Sequence, residues 1–310
     1  MDWKRPARAN HWLLDEQKVM SMLESSFIKL IVRLMPKIGR EVLGYYYFIK
    51  MFRTPPQIAY EREMRKGVVA YSGDRTALLR KLRVLPALFH ANTTFLLLAK
   101  ADAIHAVNIQ IRKSDIAELS TSIASGKGLI LACTNFSCFY FAILKCKGVI
   151  HDILLIQGDA GTETQPLIWR LEKLSGVRIA THKYGSDSSI RIYRHLKSGG
   201  VIATMVDTYL DAADVLIAPF MGRQAASPAG LYQIACRLGS DVVPLFCLGR
   251  GRGFVIETGE IIAASETTPQ LLCESINREV EDRVNAHPDQ WMAWGNLSHR
   301  WDAAENSLRG

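Results

Sequence analysis

Thr134-Asn135-Phe136-Ser137-Cys138 is a cluster of small polar side chains set directly behind an apolar run, Leu129–Cys133. Asn135 offers an amide donor pair and a carbonyl acceptor. Its amide is not basic, so it can position a substrate or hold an oxyanion but cannot remove a proton. Tyr140 stands five residues further on, and with an ordinary pKa near ~10 its phenol stays protonated at neutral pH. Asp207 closes a second apolar run, Gly200–Asp207 (GVIATMVD). It is either a base or a structural carboxylate capping the next turn. His182 falls in Thr181–Gly185, read as a loop, where a surface histidine is the plainer alternative. Gly222 and Arg223 belong to Phe220-Met-Gly-Arg. The planar fork of an arginine suits phosphate or carboxylate, and an exposed ion pair is the competing reading. Arg250 lies in Gly249-Arg-Gly-Arg-Gly253, between two strand patterns and not ahead of a helix, which excludes a dinucleotide-binding loop.

The elements that must hold these residues are legible as runs and breaks. Gly126-Lys-Gly128 reads as a tight turn into the strand Leu129–Cys133, apolar throughout and therefore buried on both faces. Phe139–Leu144 is apolar and opens a helix. Further strands are expected at Ile153–Ile156, Val177–Ala180, Val201–Val206, Val242–Cys247 and Phe254–Glu257, with helices at Leu167–Leu174 and Ser188–Leu196. Gly176 stops the first helix, and Ser186-Asp187 is placed to cap the second. Leu272, Ile276, Val280 and Val284 recur every four residues behind Pro269, an amphipathic helix. Strands alternating with helices imply an α/β fold with a central, mostly parallel sheet flanked by helices and an N-terminal helical segment. The expected division is an N-terminal helical region at 1–110, packed on an α/β domain at 111–310.

The 310 residues carry a net charge of +8, with 48% hydrophobic and 22% charged residues, as in an ordinary globular chain. The basic balance permits an anionic partner such as a carrier protein, a CoA-type phosphate, RNA or an acidic membrane, or it is only a basic surface. The six cysteines at 133, 138, 146, 236, 247 and 273 show no metal-type CxxC spacing and read as reduced core thiols, which points to the cytoplasm. Cys133 and Cys138 flank the polar turn, but no histidine follows at a spacing suited to activating either one. No metal site is expected. Met1–Asn10 is basic and lacks a signal-peptide core. Phe27–Phe52 has apolar runs too short to span a bilayer. It reads as a helix packed on the domain with its basic edge in water, the alternative being a basic amphipathic helix on an anionic membrane. Val84–Ala99 reads as a buried helix.

Taken with its downstream partners, Gly126–Tyr140 resembles the lipid A late acyltransferases, a branch of the lysophospholipid acyltransferase superfamily. Those proteins place a histidine after the apolar strand and an acid five residues later; Asn135 and Tyr140 occupy these positions here. The family's strand ending in Asp is matched by Gly200–Asp207 and its Phe-x-Gly-Arg loop by Phe220–Arg223, with Ser227-Pro-Ala-Gly230 following. A helix with small residues (Ala235-Cys-Arg-Leu-Gly239), Val243-Pro244 with Arg250, and Pro288-Asp-Gln-Trp291 with Trp294 and His299-Arg-Trp301 complete a pattern covering roughly residues 25–301.

The resemblance implies an acyltransferase-like domain. Acyl transfer needs a nucleophile, a route for its proton and donors for the developing oxyanion. Asn135, Asp207 and Tyr140 are then the catalytic candidates. Arg223, Gly222, Ser137, Thr134, Arg250 and His182 are the substrate-binding candidates. Asn135 and Tyr140 are expected to face one cleft with Asp207 and Arg223 at its rim. Without a histidine base, the favoured acceptor is an amine or hydroxylamine, which needs little base help. The expected donor is an acyl or aminoacyl group on an anionic carrier (CoA, an acyl carrier protein or aminoacyl-tRNA), used as co-substrate with no bound cofactor, in small-metabolite biosynthesis. DNA is not an expected partner, and a peripheral membrane contact is the alternative reading of Phe27–Phe52. The alternatives are an inactive binding or scaffold protein and a lipid A-type O-acyltransferase.

Overall fold

Strand β2 (Leu129–Cys133) is the centre of the molecule because every residue in it is apolar and buried. Alternate side chains point to opposite faces of a strand. Leu129, Leu131 and Cys133 therefore enter one hydrophobic core, and Ile130 and Ala132 enter a second one behind the sheet. The computed structural model describes residues 26–35, 38–52, 54–157, 164–183, 187–208, 212 and 214–309. The basic stretch Met1–Asn10 and the loop and cap residues Tyr184–Ser186 lie outside them.

Among the described residues, β1 (Ile109–Ile111), β2, β3 (Asp152–Gln157), β4 (Arg178–Lys183), β5 (Val201–Met205), β8 (Asp241–Arg250) and β9 (Gly253–Thr258) lie in the order β1-β9-β8-β2-β5-β3-β4. The short β10 (Ile262–Ala263) pairs with β8. The pairs around β2 are parallel, and β8–β9 and β8–β10 are antiparallel. A separate hairpin is formed by β6 (Val215–Phe220) and β7 (Arg223–Pro228). The expected α/β architecture with a mostly parallel sheet and a helical N-terminal segment is therefore what the chain adopts. The 110/111 boundary runs through β1, which pairs in parallel with β9.

Turn chemistry sets the ends of these elements. Gly128 has φ +80°, and a Cβ there would sit 2.6 Å from the Leu196 carbonyl oxygen, so only glycine lets β2 start beside the end of the helix Ser188–Lys197. Gly176 ends the helix Gln165–Ser175 in the left-handed conformation as expected. The helix Pro269–Ala286 buries Leu272, Ile276, Val280 and Val284, the whole expected stripe.

Four details differ from the sequence reading. Phe139–Leu144 opens only a single turn, Tyr140–Ile143, because three consecutive aromatic side chains turn into the interior and Cys146–Gly148 then reverses the chain. Thr181, His182 and Lys183 are strand, not loop, since β4 keeps pairing with β3 as far as Gln157↔Lys183. Asp187 is the N-terminal flanking residue of the helix Ser188–Lys197 but makes no capping bond; its carboxylate faces His182 Nε2 at 3.4 Å. The β6–β7 hairpin is new. Met221 and Gly222 both have positive φ, 52° and 75°, the two-residue turn whose twist matches a hairpin.

The N-terminal segment Phe27–Phe52 gives two helices, Ser26–Leu34 and Gly39–Met51, which bury Ile28, Val32, Leu43 and Tyr47 and leave Leu34, Tyr45, Ile49 and Phe52 exposed. Val84–Ala99 contains the expected buried helix, Leu85–Leu98. No helix among the described residues is long and apolar enough to cross a membrane.

Candidate active site

The parallel strands β2 and β5 are neighbours and end at the same edge of the sheet, so the residues that follow them meet. Thr134 leaves β2 with its hydroxyl donating to the Leu245 carbonyl of β8 at 2.9 Å. The Val206 N–H donates to the Cys133 carbonyl at 3.0 Å, which extends the β2–β5 register by one more bond. Asn135 and Asp207 then face each other. The Asn135 backbone N–H donates to Asp207 Oδ2 at 2.7 Å, and its amide Nδ2 donates to Asp207 Oδ1 at 2.6 Å and to Thr208 Oγ1 at 2.8 Å.

The floor under this pair comes from the C-terminal segment. Trp291 Nε1 donates to Asp207 Oδ2 at 2.8 Å, and the Met292 N–H donates to the Asn135 backbone carbonyl at 2.8 Å. Phe136 and Trp291 form an isolated antiparallel bridge. Ser137 takes a left-handed φ of 45°, unusual for a residue with a Cβ. Its hydroxyl and Gln290 Oε1 both accept from the Gly249 N–H, at 3.2 and 2.7 Å. The polar turn is thus tied to β8 on one side and to Gln290–Met292 on the other.

Asp207 is 1% exposed. Burial pushes its carboxyl above the usual carboxylate range, and the Asn135 and Trp291 donors together with the Arg300 charge offset part of that rise. Arg300 is itself buried; Nε donates to the Ala226 carbonyl at 3.1 Å, and an amino group donates to Ser227 Oγ at 2.7 Å and Asn277 Oδ1 at 3.0 Å. Its guanidinium lies 4.4 Å from the Phe220 ring centroid. Cys133 and Cys138 are fully buried and their thiols are pushed up, that of Cys138 to about 12, so neither is a thiolate nucleophile at neutral pH.

Of the sequence candidates, the structure brings Asn135 and Asp207 into direct contact, with Thr134 and Ser137 bracing the same turn. The single expected cleft is corrected in three respects. Asp207 lies beneath Asn135 and not at a rim. Tyr140 is 6% exposed, with its ring 4.2 Å from Phe139 and 6.4 Å from Phe89, so an apolar environment and not a cleft receives it. Burial, and to a lesser degree the Cys138 thiol, raise its phenol further above its ordinary value. Arg223 and Gly222 sit at the exposed β6–β7 turn; Arg223 pairs with Glu305 and covers Trp301 at 4.8 Å. Arg250 is exposed at the end of β8, one residue beyond the Gly249 contact. His182 contacts Asp187 on β4's side of the sheet.

The Arg223 environment gives a direct expectation. Arg223→Ala should change stability by no more than about 1 kcal/mol, as for an exposed pair. If the residue also contacts an anionic donor, affinity should fall by about 1.5–3 kcal/mol and weaken with salt. Donor titration at low and high salt beside a thermal melt checks both.

Thr208, Gln290, Trp291 as a donor and Arg300 do not stand out in the sequence as site residues. Gln290, Trp291 and Arg300 belong to the C-terminal motifs, but nothing in their spacing says that they reach Asp207 or Gly249. Among the described residues, no group of three His, Cys, Asp or Glu side chains could hold a metal ion.

Residues 175–301 match the family model described as bacterial lipid A biosynthesis acyltransferase. That span includes Asp207, Arg223, Trp291 and Arg300 and begins beyond Asn135 and Tyr140. No curated protein matches the chain. Over residues 175–301 the chain is similar to the bacterial lipid A biosynthesis acyltransferases, and this match, together with the α/β fold, supports an acyltransferase enzyme.

Proposed function

We propose that the protein transfers an acyl or aminoacyl group from an activated carrier (a CoA or acyl-carrier thioester, or an aminoacyl-tRNA ester) to an amine- or hydroxylamine-type acceptor in small-metabolite biosynthesis. The observation that carries this reading is the clamp on Asn135. A carboxylate only accepts hydrogen bonds, so Asp207 dictates that the Asn135 amide nitrogen faces inward. Both of its protons are then committed, to Asp207 and Thr208. The side chain presents its carbonyl oxygen to a ligand and has no proton left for an oxyanion. Of the two roles read from the sequence, positioning is therefore favoured over oxyanion stabilisation.

A carbonyl acceptor suits a nucleophile that carries an N–H and a free lone pair. It can orient an amine or hydroxylamine without removing its proton before attack. An alcohol gains much less, because general base help typically contributes about 10²–10⁴-fold and neither Asn135 nor the buried phenol of Tyr140 supplies it.

The test is a panel of acyl-CoA, acyl-carrier and aminoacyl-tRNA donors against amine, hydroxylamine and alcohol acceptors, read by mass spectrometry. Amine-type products are expected, and Asn135→Ala should lower turnover while leaving the far-UV spectrum unchanged. Efficient acylation of alcohols alone would favour the O-acyltransferase alternative. No product from any pair, with tight binding of a partner, would favour the scaffold alternative.

A further inference from the structure

The hydrogen-bond polarity set by Asp207 does not stop at Asn135. Asn135 Nδ2 can only donate, so in its 2.8 Å contact the Thr208 hydroxyl must act as acceptor. The Thr208 O–H proton is then free for another partner, and no acceptor for it occurs among the described residues. Thr208 is half-buried at the exit of β5, directly after the carboxylate that fixes the whole chain of bonds. The side-chain carbonyl oxygen of Asn135 likewise receives no donor among the described residues. The same rigid unit therefore presents one acceptor and one donor, separated by a single hydrogen bond.

We infer that Thr208 is a catalytic residue of the acyl transfer, its hydroxyl donating to the carbonyl oxygen of the donor ester or thioester. This rests on the transferase reading above and adds a residue to it. The acceptor nitrogen, aligned by the Asn135 side-chain oxygen, attacks the carbonyl carbon and a C–N bond forms. Negative charge builds on the carbonyl oxygen, where the Thr208 O–H meets it. The tetrahedral intermediate collapses with cleavage of the C–S or C–O bond. The proton lost by nitrogen passes to the leaving group, which departs as a thiol or hydroxyl. Thr208 and Asn135 exchange no proton, so the arrangement works without a base. It is preorganised because the hydroxyl cannot rotate its proton back toward Asn135 while Nδ2 occupies that side.

Single-turnover and steady-state kinetics on a productive donor–acceptor pair test the inference. Thr208→Val keeps the shape and removes the hydroxyl, and should lower kcat by about 10²–10³-fold with little change in KM. Thr208→Ser keeps the hydroxyl and should recover most of the rate. Thr208→Ala serves as a second hydroxyl-free variant should valine disturb folding, with melting curves on all three. A folded Val or Ala variant with wild-type kcat overturns the role of Thr208 while leaving the transferase reading intact. An inactive serine variant that folds normally also overturns it. A wild-type protein inactive with every pair overturns both.

Discussion

Asp207→Asn is expected to give a folded protein that has lost at least about 10²-fold of its transfer rate. The substitution is nearly isosteric but reverses the polarity of the site. The introduced amide would keep its oxygen toward the Asn135 N–H and Trp291 Nε1, the two donors that now share Oδ2. Its nitrogen would replace Oδ1 and face the Asn135 side chain. The Asn135 amide must then turn over, with oxygen inward and NH₂ outward, and the Thr208 hydroxyl turns to donate inward. The ligand would meet a donor where it needs an acceptor and lose the donor on its carbonyl. Stability should hold, because the change removes the cost of burying a charge. Circular dichroism and a thermal melt beside the kinetics separate the two effects. Wild-type turnover in this variant would show that Asp207 does not orient Asn135.

Acid should mimic that variant. The folded pKa of Asp207 is raised above its unfolded value, so the fold holds this proton more tightly than the unfolded chain does. Its contribution to stability is therefore fully present below the ordinary carboxylate pKa and is lost as pH rises through the raised one. Activity runs the other way: a protonated Asp207 carries an O–H donor and loses its grip on the amide. Over the window between the two pKa values, activity should fall on acidification while the Asp207 contribution to stability grows. A kcat profile and a melt series at matched pH check the opposite signs.

Arg300→Ala should lower unfolding free energy by about 3–5 kcal/mol, the largest stability change expected from a single residue of this region. Arg300 is 2% exposed and ties three carbonyl or hydroxyl acceptors together. Those acceptors belong to β7 and to the helix Pro269–Ala286, so one side chain on the helix Trp294–Arg309 fixes both. Alanine leaves the Ala226 and Asn277 oxygens unpaired, opens a cavity beside Phe220 and removes a cation that acts on Asp207. Arg300→Lys should recover only part of the loss, because an ammonium cannot span the same fork. Urea midpoints for the three proteins measure this; an alanine variant within about 1 kcal/mol of wild type would show that the contacts relax freely.

Sequence pattern is a good guide wherever burial alone sets the answer. β2 can be read from five consecutive apolar residues, and the helix Pro269–Ala286 from its four-residue stripe. Strand order is not legible, since nothing local in β5 says that it inserts between β2 and β3. The hairpin escapes a sequence reading because Met221-Gly222 lacks the Asn-Gly signal of such a turn. At the site, the roles of Asn135 and Asp207 are partly visible from residue type and position after strands. Tyr140 is misplaced by the sequence because its position in the family pattern carries no information about its ring, which packs against Phe89. In the sequence Trp291 is only the end of the Pro288-Asp-Gln-Trp291 motif, and the fold alone reveals that its one polar atom is spent on Asp207.

The Asn135–Asp207 contact closes 72 residues of chain, and the Asp207–Trp291 contact closes 84 more. No local segment contains any two of these three residues. Ring closures of that length must be completed before the bonds return any free energy. The site therefore exists only after the β2–β3–β4–β5 crossovers have stacked and the C-terminal segment has docked beneath them. The indole N–H of Trp291, held by a buried carboxylate, becomes a reporter of that last event: its proton should exchange with solvent at the rate of global opening, while amides near the chain's local turns exchange sooner.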